Sequence, residues 1–117
     1  MIYGYARVSS AGQAIDGNSL EAQSELLKAN GAQKIFSDVY TGTKLHRPEL
    51  DKLMAEIQPG DTLIVAKLDR IARSVKGGIE IIDSLLAKDV SVNILNMGLM
   101  NNTSTGKLIR NVMLAFA

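Results

Sequence analysis

Apolar and polar residues fall in blocks along this chain, and the period inside each block predicts an element. Met1 to Val8 is an apolar run that stops at Ser9 and Ser10, and it reads as a first β-strand. Ser10 to Gly17 is polar and contains glycine, a loop. Asn18 suits a helix N-cap, with Glu21 three residues on as its capping-box partner. Leu20, Leu27 and, half a step round, Leu26 form that helix's apolar face, and Asn30-Gly31 stops it. Lys34 to Tyr40, with Ile35, Phe36 and Val39, is a second strand, and Thr41 to Arg47 a polar loop. Pro48 opens a helix whose Leu50, Leu53, Met54 and Ile57 follow the i, i+3, i+4, i+7 spacing, and Pro59-Gly60-Asp61 ends it. Thr62 to Ala66 is continuously apolar, as in a strand buried on both faces. Lys67 to Ser74 is polar and charged. A helix from about Val75 to Lys88 carries Ile79, Ile82, Leu85 and Leu86. Val90 to Leu95 is a further strand, and Met97 to Thr103 is a loop or a short edge strand. Ser104 or Thr105 could cap a last helix running to Ala117, with Leu108, Ile109, Val112, Met113 and Phe116 on one broad side.

Strand and helix alternate, so the predicted class is α/β: an open, mainly parallel sheet flanked by helices. The last helix reaches Ala117 with no stop signal, and the expectation is a fragment cut inside a longer helix. Residues 1–103 then form the α/β domain, and 104–117 the start of a helix that packs first on that domain and further along on a partner subunit.

Composition narrows the chemistry. A length of 117 residues with 46% hydrophobic content suits one domain with one core. No apolar run is long enough to span a bilayer, and no leader pattern opens the chain, so no membrane role is expected. Cysteine is absent, which excludes disulfides and thiolate metal sites and fits a cytoplasmic protein. The single histidine, His46, makes a histidine-based metal site or a Ser-His-Asp triad improbable, and it is assigned no role. The net charge of +1 gives no global basic field, so contact with nucleic acid must rest on local clustering.

The arginines supply that clustering. Ligand sites in open α/β sheets form outside the carboxyl ends of the strands. Arg7 and Ser9 lie two apart at the end of the first strand and share a face. Lys67, Asp69, Arg70 and Arg73 follow the Thr62–Ala66 strand, which neighbours the first strand in common doubly wound orders. Arg47 closes the loop after the second strand. Four of the five arginines therefore converge near Ser9. A hydroxyl beside guanidinium groups suits attack on a phosphodiester, because they stabilise charge on the non-bridging oxygens without a metal. Asp69 could orient an arginine or give a proton to a leaving oxygen, and Lys67 could be a further phosphate contact. Gly77-Gly78 has neither a Walker-type nor a dinucleotide-type spacing, so no nucleotide cofactor is expected. The acidic residues Asp38, Asp61 and Asp69 show no metal-ligand spacing.

Three blocks carry a resemblance. Tyr5-Ala6-Arg7-Val8-Ser9-Ser10-Ala11-Gly12-Gln13, then Ser19-Leu20-Glu21-Ala22-Gln23, then Leu68-Asp69-Arg70-Ile71-Ala72-Arg73-Ser74 resemble the signature blocks of the serine recombinases, the resolvase/invertase family. The resemblance covers essentially the whole chain. It implies that Ser9, rather than the adjacent Ser10, is the nucleophile that forms a 5′-phosphoserine link to DNA and frees a 3′-hydroxyl. It implies that Arg7, Arg70, Arg73 and Arg47 surround the scissile phosphate, with Asp69 between two of them. Gln13 and Gln23 would support the site, alongside Ser10 and Lys67. The Ala14–Asn18 stretch is longer than in the shortest family members, which bears on the Gln23 correspondence. The family acts on double-stranded DNA as dimers and tetramers, without ATP or metal in the chemistry, and carries its DNA-binding part beyond the long last helix. Two other readings compete: a DNA nicking or relaxing enzyme, which would want a tyrosine nucleophile or an acidic metal cluster, and a non-catalytic phosphate-sensing assembly module.

Overall fold

β1 (Ile2–Ser9) forms because Tyr3, Tyr5, Ala6 and Val8 supply apolar side chains to both faces of a strand that is paired on both sides. The computed structural model describes residues 1–9, 20–40, 47–72 and 74–115, with Ser9, Tyr40, Val75, Ser104, Met113 and Leu114 described by backbone alone. The chain continues through α1 (Leu20–Ala29), β2 (Lys34–Tyr40), α2 (Pro48–Glu56), β3 (Thr62–Val65), a single 3₁₀ turn at Leu68–Arg70, α3 (Val75–Ala87), β4 (Ser91–Ile94), β5 (Gly98–Met100) and α4 (Ser104–Ala115).

The strands form one sheet in the order β2-β1-β3-β4-β5. The first four are parallel, and β5 runs antiparallel to β4 along the edge. From β1 the chain moves outward to β2, then returns to the other side of β1 and continues outward through β3 and β4. The order therefore reverses between β1 and β3, whose carboxyl ends flank the crevice where doubly wound sheets place their ligands.

The two faces are covered unequally. The larger core joins Tyr3, Tyr5, Leu63, Val65, Val92, Ile94 and Met100 of the sheet to Leu50 and Leu53 of α2, Ile79, Ile82 and Leu85 of α3, and Ile109 of α4. The opposite face has α1, whose Leu27 and Leu20 pack on Ala6 and Ile64.

Two expectations change, and a third resolves to one of its alternatives. Leu26 stands 45% exposed, and the interior face of α1 is made by Gln23 and Leu27. The 97–103 stretch holds the short edge strand of the two readings, β5, entered through Gly98 at φ +133°, where a Cβ would lie 3.2 Å from Ile109 Cδ1. Thr103, rather than Ser104 or Thr105, caps α4: its Oγ1 accepts from the Gly106 amide at 3.2 Å, and its carbonyl accepts the Lys107 amide at 2.9 Å. Asn18, Phe116 and Ala117 lie outside the described residues.

Candidate active site

Beyond Tyr5, β1 outruns β3, which pairs only with Ile2–Tyr5. The amide and carbonyl of Arg7 are instead held by one side chain of α1: Gln23 Oε1 accepts from Arg7 N at 3.2 Å, and Gln23 Nε2 donates to Arg7 O at 3.1 Å. A buried glutamine is stable there because it takes the place of the missing strand neighbour. Gln23 thereby fixes the main chain two residues before Ser9, the last residue of β1, whose register partner is Tyr40 on β2.

The 3₁₀ turn after β3 gathers the arginines. Arg70 lies on it. Arg7 donates through Nη2 to the carbonyl of Asp69, and Arg47 donates through Nη1 to the carbonyl of Ile71. Arg47 immediately precedes Pro48, which bars it from helical backbone, and its φ of −132° holds the side chain at the start of α2. Burial pulls the Arg7 guanidinium below its ordinary pKa, and the like charges of Arg47 and Arg70 pull the same way. Tyr5 and Asp69 oppose that shift.

Asp69 contributes its carbonyl to this contact. Its side chain is 67% exposed, with Oδ1 3.7 Å from Arg70 Nε. Lys67 is exposed and lines, with Gln23, Leu26, Arg70, Leu95 and Asn96, an open cavity of about 260 Å³ beside the turn. Ser10, Gln13, Arg73 and His46 lie outside the described residues. Arg110 is engaged elsewhere, clamped by Asp83 of α3 at 2.8 Å (Nε to Oδ1) and 2.7 Å (Nη2 to Oδ2). That contact raises the Arg110 pKa. Among the described residues, no three His, Cys, Asp or Glu side chains gather as a metal site would need.

Sequence reasoning missed one residue, Asp38. It is 5% exposed on β2, opposite Arg7 in register. Its Oδ2 accepts the Tyr5 hydroxyl at 2.7 Å and the Leu50 amide at 3.1 Å, and its Oδ1 accepts the Glu49 amide at 3.1 Å. Arg47, at the N-cap position, provides no side-chain cap, so Asp38 caps α2 from the neighbouring strand. Burial, then the bond to Asp38, raises the Tyr5 pKa, keeping its proton on the hydroxyl. The sequence carried a signal: Asp38 shares its strand face with Phe36, and an acid on an interior face must find donors.

The fold and the cluster define an open α/β domain with a cationic cleft at its switch point. The family described as "Resolvase, N terminal domain" matches residues 2–117, and the chain belongs to that family. It is 40% identical over 119 residues to the transposon Tn552 resolvase of Staphylococcus aureus, covering 100% of this chain and 58% of that protein. It is 34% identical over 117 residues to the serine recombinase gin of Escherichia phage Mu, again across 100% of this chain and 58% of that protein. Among solved structures, the N-terminal catalytic domain of TP901-1 integrase aligns with a TM-score of 0.76 at 27% identity, over 98% of this chain and 92% of that one. A resolvase family site-specific recombinase from Streptococcus pneumoniae aligns with a TM-score of 0.71 at 26% identity, over 98% and 83%. The chain thus spans less than two thirds of the length of these two curated relatives.

Proposed function

We propose that this chain is the catalytic domain of a site-specific DNA recombinase. The Ser9 oxygen attacks a phosphodiester, forms a 5′-phosphoserine bond and expels the 3′-oxygen, which leaves as a hydroxyl on taking up a proton. Rejoining is the reverse: a 3′-hydroxyl attacks the phosphoserine and returns the proton to Ser9. The bond exchange is a transesterification, so it consumes no ATP. Arg7, Arg47 and Arg70, with Arg73, hold the non-bridging oxygens and stabilise the charge that builds on them. Gln23 positions the β1 main chain. Gln13, Ser10, Lys67 and Asp69 complete the surroundings.

The observation that carries this reading is the meeting of Arg7, Arg47 and Arg70 on one 3₁₀ turn at the crevice between the carboxyl ends of β1 and β3. The family membership and the recombinase relatives supply the reaction class. In the same reading, residues 1–103 do the chemistry, and residues 104–117 begin a helix for subunit pairing. Leu108 and Val112 of α4, 61% and 50% exposed, suit that role. The substrate is double-stranded DNA, bound by a homo-oligomer in the bacterial cytoplasm.

The test is capture of protein-linked DNA from cells expressing the full-length protein, under denaturing conditions. The parent yields DNA joined through its 5′ ends, Ser9→Ala yields none, and adduct formation with purified protein survives EDTA. An undiminished Ser9→Ala adduct overturns the nucleophile. Complete loss in EDTA with recovery in magnesium favours a metal-dependent nicking enzyme.

A further inference from the structure

Two successive glycines lie in the first turn of α3, where glycine weakens a helix. Neither has left-handed backbone, so space rather than conformational freedom selects them. Gly77 faces the cap: a Cβ there would lie 3.1 Å from Ser74 Oγ and 3.6 Å from Ala72 Cβ. Gly78 faces the 3₁₀ turn. A Cβ there would lie 2.6 Å from Leu68 Cδ1, 3.0 Å from Cγ and 3.4 Å from Cδ2. Rotation about χ2 moves Cδ1 but leaves Cγ, at 3.0 Å, in place, so the contact is not cleared without a shift of Leu68 itself. Either χ1 changes, which pulls Leu68 off the main core it packs against, or the whole turn moves outward.

Leu68 is the first residue of the turn that gathers the arginines. Its carbonyl accepts the amides of Ile71 at 3.1 Å and Ala72 at 3.3 Å, so the segment moves as a unit. The Asp69 carbonyl on it receives Arg7, the carbonyl of Ile71, which closes it, receives Arg47, and Arg70 is carried by it. We propose that Gly78 is a positioning residue for the reaction: its missing side chain lets Leu68 seat the 3₁₀ turn at the height where Arg7, Arg47 and Arg70 share one phosphate. This rests on the recombinase reading for its catalytic consequence, and on packing alone for its geometric one.

The experiment compares Gly78→Ala, Gly77→Ala, Leu68→Ala and the Leu68→Ala/Gly78→Ala double variant in the full-length protein. The first readout is the set of arginine Nε–Hε resonances by NMR, which does not need DNA cleavage. The second is the rate of adduct formation on the captured DNA site. Gly78→Ala moves the Arg7, Arg47 and Arg70 resonances while Gly77→Ala leaves them in place. Its adduct forms at least about tenfold more slowly, within the ~10²-fold that an ångström of misplacement produces. The double variant returns to the Leu68→Ala values, because the clash is gone. Unmoved resonances with an unchanged rate overturn the proposal, as do equal shifts in Gly77→Ala and Gly78→Ala, which would reflect helix propensity. If Gly78→Ala does not fold, a folded double variant supports the contact and an unfolded one overturns it. If the parent forms no adduct, the recombinase reading fails, and the resonances alone decide the role of Gly78.

Discussion

Replacing Asp38 by alanine removes a buried acceptor that ties β1, β2 and α2 together. The Tyr5 hydroxyl and the Leu50 amide are both buried, and each loses its partner. The Glu49 amide is partly buried and can turn to water. Two buried orphaned donors at ~1–3 kcal/mol each, eased by any water that enters the vacated space, make a loss of about 2–4 kcal/mol. That corresponds to a fall in Tm of about 10 °C for a domain of this size. Asp38→Asn keeps the volume and one oxygen, but sets an amide group against the Glu49 amide and removes the negative charge at the start of α2. Its loss is about 1–2 kcal/mol. Tyr5→Phe removes a single donor to a carboxylate that keeps both helix amides, at about 1–2 kcal/mol. Urea unfolding followed by circular dichroism measures all three, together with the Tyr5→Phe/Asp38→Ala double variant. The double variant loses less than the sum of the singles by about 1 kcal/mol, because the same contact is deleted twice. A loss below about 1 kcal/mol for Asp38→Ala, additive with Tyr5→Phe, would refute the role given to this carboxylate.

Gln23→Leu keeps the bulk of the side chain but frees the Arg7 amide and carbonyl, at about 1–3 kcal/mol. Amide hydrogen exchange at Arg7 accelerates, and unchanged protection there contradicts the strand-neighbour role. Lys34 Nζ lies 2.9 and 2.8 Å from the two oxygens of Glu56, and this contact holds the Glu56 carboxyl below its ordinary pKa. A depressed carboxylate stabilises the fold fully above its unfolded pKa of about 4.3 and loses that contribution as pH falls through the folded value. The difference in urea midpoint between the parent and Glu56→Gln is therefore small, given the exposure of the pair. It is largest near neutrality and closes below about pH 4. A difference that grows on acidification contradicts it.

The element order was legible because each block carried its own period: four apolar residues in Leu50–Ile57 for a helix, an unbroken run in Thr62–Ala66 for a central strand. The carboxyl-end rule then brought Arg7, Arg47 and Arg70 to one crevice. Periodicity misjudged α1, because it favours Leu26 over Gln23 while an unpaired stretch of β1 favours the amide. The 3₁₀ turn was read only as polar sequence. Its contribution is two main-chain carbonyls, and any residue has those, so side-chain identity is silent about them. Asp38 was weighed only as a metal ligand, although its place beside Phe36 on an interior strand face already called for donors.

The choice of anchors bears on the chemistry. Arginines brought together can be held by carboxylates, which neutralise them and compete with a phosphate for the same donors. Here Arg7 donates to the Asp69 carbonyl and Arg47 to the Ile71 carbonyl, and a carbonyl brings no negative charge to the guanidinium it holds. The buried acid opposite Arg7 in register is engaged by the Tyr5 hydroxyl and two helix amides. The Asp69 carboxylate is mostly exposed, 3.7 Å from Arg70 Nε, so its pull is weakened by solvent. Burial first, and then the like charges of Arg47 and Arg70, lower the Arg7 pKa in that arrangement. In the proposed reaction a phosphodiester entering the crevice would relieve the repulsion among these charges, and the relief would grow as negative charge builds on the non-bridging oxygens. Under the proposed function, carbonyl rather than carboxylate anchoring of Arg7 and Arg47 would favour the state in which the phosphoryl group is most negative.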